Sequence, residues 1–142
     1  DNKGYLKSFF SKSNATYEKE LEKFLKIVGF EVDLDNYISS LTYGQQKMLE
    51  IIRSLLSHPK IMLVDEPAAG LNNKEIEDAM ALINMAAHEY NIGILLIEHS
   101  MDMIMNICKE IVVLNFGKVI VDGTPDEIVH NKEVIAAYLG GE

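Results

Sequence analysis

The chain has 142 residues, 48% of them apolar and 25% charged, with 13 basic side chains against 22 acidic ones and a formal charge of −9. That is one domain's worth of sequence with enough apolar residues for a core, and the balance excludes a disordered or fibrous protein. An acidic chain lacks the basic face that tracks a phosphate backbone, so no nucleic acid is expected among its partners.

A single cysteine, Cys108, leaves no internal disulfide and no second thiol ligand for a metal, as expected of a reducing compartment. The apolar runs at 61–64, 94–97 and 111–114 are closed by polar residues after a few positions. A bilayer-spanning helix needs about 20 apolar residues, so these runs read as strands. The opening Asp1-Asn2-Lys3-Gly4 carries neither Met nor a signal-peptide pattern, and the chain is expected to start partway into a longer protein.

Residues 1–13 are polar with scattered aromatics (Tyr5, Phe9, Phe10) and read as a loop or frayed helix. Thr16 is the expected cap of a first helix, whose apolar positions Tyr17, Leu21, Phe24, Leu25 and Val28 recur at helical spacing up to Gly29. After a polar connection through Asp33, Asp35 and Asn36, a second helix is expected from about Gly44 to Ser57, with Met48, Leu49, Ile52, Leu55 and Leu56 on one face. Pro59 marks its exit. The pattern then changes to short apolar runs alternating with helices, the pattern of parallel sheet built from strand-helix-strand units. A buried strand over 61–65, a helix from Asn73 to about Tyr90 and a strand from Ile92 to Glu98 form the first such unit. A short helix over 101–108 follows, then strands over 111–115 and 118–122 joined by a tight turn at Phe116-Gly117. Thr124-Pro125-Asp126-Glu127 has the spacing of a capping box with proline at the first helical position. The fold class expected is α/β.

Asp65 and Glu66 follow an apolar strand directly, which puts both at the carboxyl edge where open α/β sheets bind ligands. The pair suits nucleotide hydrolysis, one carboxylate holding Mg²⁺ and its neighbour polarising an attacking water. Acidic residues after a strand are also common as solvated turn residues. Thr42-Tyr43-Gly44-Gln45 opens the second helix, where backbone N–H groups and the helix dipole favour an anion such as a phosphate. Thr42 and Gln45 also have capping-box spacing, which needs no ligand. His99 stands at the end of the neighbouring strand, placed to donate to a terminal phosphate, although a lone histidine is more often a surface or capping group. His58, His88 and His130 read that way, and Met101, Met103 and Met105 as packing residues.

Together, Leu41-Thr42-Tyr43-Gly44-Gln45, the strand into Asp65-Glu66-Pro67, Ala69-Gly70-Leu71-Asn72 and the strand ending at His99 resemble the ATP-binding subunits of ABC transporters. The resemblance spans about residues 37–142. Within it, 41–72, Ile97-Glu98-His99 and the tail from Val113 through Gly117 and Gly123-Thr124-Pro125 to Ala137-Tyr138-Leu139-Gly140 closely resemble the ATP-binding subunit of branched-chain amino acid importers. The resemblance implies the carboxyl-terminal part of a P-loop NTPase, with a helical subdomain over 1–57 and the end of the ATPase core over 58–142. It makes residues 41–45 the signature motif, 61–66 the Walker B strand, 69–72 the D-loop and His99 the switch histidine. By the same resemblance Asp65 organises Mg²⁺, Glu66 is the general base, His99 contacts the γ-phosphate of ATP, and Thr42, Tyr43, Gly44, Gln45 and Asn72 meet nucleotide. Tyr43 replaces the usual first glycine of the signature, and Asn72 the usual aspartate of the D-loop.

No Gly-x-x-x-x-Gly-Lys-Ser/Thr loop occurs in the chain, so nothing in it wraps the β- and γ-phosphates in successive amides. The chain is therefore expected to be a C-terminal fragment, inactive alone, of an ATPase. The implied partners are a second ATPase subunit and membrane permease subunits that dock on the helical subdomain, at the inner face of the cell membrane on the cytoplasmic side. Two other readings stand beside this one: the ATPase subunit of a lipopolysaccharide export system, with a similar tail and D-loop region, and a non-catalytic binding module.

Overall fold

The computed structural model describes residues 15–30 and 38–138. The expected loop at 1–13 and the polar connection at 33–36 lie outside them. The chain divides between Glu98 and His99 into two compact units.

In the first unit, helix α1 spans Ala15–Ile27. Ala15 is already helical, so Thr16 lies in the first turn rather than at the cap. The apolar spacing buries Leu21, Phe24 and Leu25 on one face. The helix ends at Gly29, whose φ of 59° lets the Phe30 N–H turn back to the Leu25 carbonyl at 2.9 Å. A 3₁₀ turn at Ile38–Ser40 leads to α2, Tyr43–Leu55. Its start is the capping box its spacing predicts: Gln45 N donates to Thr42 Oγ1 at 3.2 Å and Thr42 N to Gln45 Oε1 at 2.9 Å.

Strand β1 (Ile61–Asp65) runs into helix α3 (Asn73–His88), which returns to strand β2 (Gly93–Ile97). The strands pair in parallel, Ile61 opposite Gly93 through Asp65 opposite Ile97, as a strand-helix-strand crossover dictates. Ala79, Leu82 and Ala86 of α3 are fully buried, as is Ile52 of α2. Asp78 is the buried polar residue of this core, and Lys74 one turn earlier meets its carboxylate at 2.5 Å. The end of α3 is tied to α1: the Phe24 and Tyr90 rings lie 5.6 Å apart, and Lys23 pairs with Glu89 at 2.8 Å.

The expectation of a fully buried strand over 61–65 is corrected on one face. Met62 and Val64 are buried, whereas Ile61 is 68% and Leu63 74% exposed, and Leu95 and Ile97 of β2 are exposed beside them. Parallel strands are apolar on both sides because they are ordinarily covered on both sides. Alternation along β1 thus separates a face turned inward from an equally apolar face turned to solvent.

In the second unit, α4 (Met101–Ile107) precedes strands β3 (Ile111–Asn115) and β4 (Lys118–Gly123), then α5 (Pro125–Val129) and α6 (Lys132–Tyr138). The strands pair antiparallel, because the two-residue turn at Phe116 (φ 47°) and Gly117 (φ 76°) can only reverse the chain. A shift of register between Val113 and Leu114 bulges the hairpin. Val113, Ile128 and Val134 form its core, with Met101, Met105, Ile111, Ile120 and Val121 packed against them. Thr124 donates from its N–H (2.8 Å) and its hydroxyl (2.9 Å) to Glu127 Oε2 at the start of α5. The Tyr138 hydroxyl donates to the Leu114 carbonyl, fastening α6 to the hairpin.

Candidate functional site

The expected site residues of the first unit gather where α2 begins and β1 ends. β1 stops at Asp65, and the next residue, Glu66, takes a left-handed φ of 43° that swings the chain out of the sheet. Both carboxylates are exposed at the carboxyl edge of the strand. The Glu66 N–H is still held by the ladder, donating to the Ile97 carbonyl at 2.8 Å. Its carbonyl accepts the Ala69 N–H at 3.2 Å, which closes the turn through Pro67 and Ala68. A second turn, Leu71 N to Ala68 O at 3.1 Å, crosses Gly70 at φ 75° and delivers Asn72 to the cap of α3.

Asn72 is used locally. Its Oδ1 accepts the Glu75 N–H at 3.0 Å, and Glu75 Oε2 accepts the Asn72 N–H at 2.9 Å, a capping box that sequence reasoning missed although Asn-x-x-Glu is its spacing. The Glu75 carboxylate also fills the space beside Gly44: a Cβ added there would stand 2.1 Å from Glu75 Oε1. The Tyr43 ring approaches Gly70 in the same way, its Cε1 2.9 Å from where a Cβ would be. Lys47, one turn into α2, donates to the Glu66 carbonyl at 2.9 Å. The start of α2 is therefore tied to the 65–75 segment at Glu66, Gly70 and Glu75, contacts made by residues far apart in sequence.

At the end of β2, Glu98 accepts the Ala68 N–H on its Oε1 at 2.9 Å. Glu98 was not singled out from sequence; the register that sets Asp65 opposite Ile97 is the signal that places it beside Glu66. His99, the next residue, begins the second unit. His58 pairs with Glu20 at 3.1 Å and His130 Nδ1 lies 2.7 Å from the Asp126 carbonyl, as histidines with local roles do. Burial raises the Cys108 thiol above its ordinary range, which suppresses thiolate chemistry there.

A cleft of 180 Å³ lies beside Asp65, lined by Lys47, Glu50, Ser54, Met62, Asp65 and Pro67 among others. Among the described residues no three acidic, histidine or cysteine side chains gather to hold a metal. The adjacent exposed carboxylates of Asp65 and Glu66 suit Mg²⁺ of another kind, since that ion takes one or two protein carboxylates and completes its shell with phosphate and water.

The first unit thus carries two neighbouring exposed carboxylates at a strand end and a capped helix start tied to the loop that follows them. Residues 2–69 match the family model described as ABC transporter, and residues 118–142 the one described as branched-chain amino acid ATP-binding cassette transporter. The chain belongs to the ATP-binding domains of ABC transporters. It is 48% identical over 114 residues to the high-affinity branched-chain amino acid transport ATP-binding protein BraF of Pseudomonas aeruginosa, which covers 78% of this chain and 45% of that one. It is 44% identical over 117 residues to the corresponding protein LivG of Salmonella typhimurium, covering 82% and 46%. The chain thus spans about half the length of the curated relatives it matches. A solved ATP-binding subunit of an ABC transporter superposes with a TM-score of 0.75 at 25% identity, over 98% of this chain and 60% of that one. No helix among the described residues is long and apolar enough to cross a membrane.

Proposed function

We propose that this sequence is the carboxyl-terminal part of the ATP-hydrolysing subunit of an importer for branched-chain amino acids. The observation that carries the reading is the cluster in which Thr42–Gln45, Asp65–Glu66 and the loop to Asn72 are tied together at a strand end. In this reading Asp65 holds Mg²⁺, which when bound neutralises charge on the phosphate oxygens of ATP. Glu66 orients and deprotonates the attacking water as general base, and His99 donates to the γ-phosphate. Thr42, Tyr43, Gly44 and Gln45 close over nucleotide held by a second ATPase subunit, with Asn72 at the junction. Two such subunits work beneath membrane permease subunits on the cytoplasmic face, the helical part through 57 making the permease contact and the part from 58 onward carrying the chemistry.

The exposed apolar face of Ile61, Leu63, Leu95 and Ile97 supports the reading of a part rather than a whole, since parallel sheets are ordinarily covered on both sides. The same reading makes the isolated chain inert, because it lacks the loop that supplies most phosphate contacts. Calorimetric titration of the chain with Mg-ATP is expected to give no binding below about 1 mM, the weak end of specific affinities. Submillimolar binding overturns the inertness. In the complete subunit, Glu66→Gln is expected to bind ATP and lose turnover by about 10² to 10⁴, the usual worth of a general base. Hydrolysis at the parent rate removes Glu66 from that role.

A further inference from the structure

Glu66 stands in a backbone conformation that non-glycine residues avoid, with φ at 43°. Such a residue persists only where its surroundings over-determine it, and at a functional site the strain fixes where the side chain is aimed. Its N–H is held by the ladder bond to Ile97, but that bond does not set the peptide that follows. The carbonyl of that peptide is fixed by the Ala69 N–H within the turn and, from a different element, by the Lys47 ammonium at 2.9 Å.

Lys47 is itself seated. Its Nζ lies 5.5 Å from the centre of the Tyr43 ring, one helical turn earlier on the same face of α2. The same ring lies close against Gly70, where φ is 75° and a Cβ would come within 2.9 Å of Cε1. Lys47 and Tyr43 therefore meet the loop at its two ends, Glu66 and Gly70, and lie within cation–π range of each other. An exposed lysine with an incidental contact would account for the 2.9 Å bond alone. It does not account for an aromatic ring seated on a left-handed glycine of the same loop.

We propose that Lys47 is a positioning residue for Glu66: stacked on Tyr43, it holds the Glu66 carbonyl and so keeps Glu66 in its left-handed conformation. The catalytic consequence rests on the reading of Glu66 as general base; the structural device does not. Tyr43, at the position where a glycine was expected, then serves the loop of its own chain.

Amide hydrogen exchange on this chain tests the device. In Lys47→Met the amides of Ala69 and Leu71, which close the two turns, are expected to exchange about fivefold to tenfold faster, as when one hydrogen bond of ordinary net strength is lost. Amides in the middle of α3 are expected to keep their parent rates, which separates loosening of the loop from unfolding. Lys47→Arg restores a donor and is expected to return the two amides to within about twofold of the parent. Tyr43→Ala is expected to give part of the Lys47→Met effect and Tyr43→Phe almost none, since the ring is the seat. Unchanged exchange at Ala69 and Leu71 in Lys47→Met overturns the proposal. In the complete subunit, Lys47→Met is expected to lower kcat with little change in KM for ATP, and Lys47→Arg to recover it. If Glu66→Gln hydrolyses normally, the general-base reading fails, while the exchange result still decides for or against the Lys47 device.

Discussion

The two units hold themselves together differently. Among the described residues the first has three α-helices whose apolar stripes pack together, with Phe24, Leu49, Ile52 and Leu82 each at most 1% exposed. The second has a bulged hairpin and short helices around Val113, Ile128 and Val134, with the Thr124–Glu127 cap and the Tyr138–Leu114 bond fastening its outer pieces. Side-chain packing sustains the first and local polar closures sustain much of the second. The consequence for the candidate site is that Asp65, Glu66 and Thr42–Gln45 stand on the more heavily packed scaffold. His99 opens the unit with the smaller core.

The largest expected effect breaks the core side of this contrast. Leu82→Ala leaves a cavity in a fully buried position and is expected to cost about 3 kcal/mol, read as a fall in the denaturation midpoint at unchanged slope. A cost below about 1 kcal/mol would mean that the helices are not held by their shared core. A smaller effect probes the polar ties within the first unit. Gly44→Ala drives a methyl against the Glu75 carboxylate, so it must displace the cap of α3; it is expected to interact with Glu75→Ala by about 1 kcal/mol in a double-mutant cycle. Additive effects would separate the start of α2 from the loop at Asn72.

The third prediction concerns the second unit and depends on pH. Glu127 is held below the usual carboxylate range, first by the Thr124 N–H and then by the Thr124 hydroxyl. A depressed folded value means that the cap contributes stability above the unfolded value, near 4.5, and loses it as the pH falls through the lower folded value. Glu127→Gln is thus expected to be less stable than the parent at pH 7 and to converge with it in acid. A gap that widens toward low pH would reverse the sign and remove the cap from the account. The smallest effect is expected on the open strand face: Leu63→Thr introduces a β-branched residue that suits a strand at a 74% exposed position and is expected to shift stability by about 0.5 kcal/mol or less. A loss approaching that of Leu82→Ala would show Leu63 covered in solution.

Much of this was legible from local pattern. β1 and β3 begin where their apolar runs do and end one polar residue beyond them, at Asp65 and Asn115, and the capping boxes at Thr42 and Thr124 follow from spacing, because both are set by residues within one turn. The Asn72–Glu75 box carried the same signal, but Asn72 was read as a D-loop residue that meets nucleotide and departs from the family pattern, not as a cap. Thr16 failed as a cap because capping spacing recurs along any helix start, and the chain upstream decides which candidate is used. The site was legible as a set of positions, Asp65, Glu66 and Thr42–Gln45, and not as a connected object. Lys47, which bonds Glu66, and Glu98, which bonds Ala68, were given no role from sequence beyond Glu98's place in Ile97-Glu98-His99.

The order of apolar runs, helix starts and acidic strand ends is short-range information, and the sequence by itself determined from it an α/β chain with its candidate chemistry at the end of β1. Three things were left to the tertiary structure. It turned one apolar face of β1–β2 inward and the other to solvent, which alternation alone cannot choose when both faces are apolar. It put Glu66 in a left-handed conformation that no pattern of residue types announces. It closed α2 onto the loop through Lys47, Tyr43 and Gly44, because contacts between residues distant in sequence exist only once the crossover from β1 through α3 to β2 has brought them together.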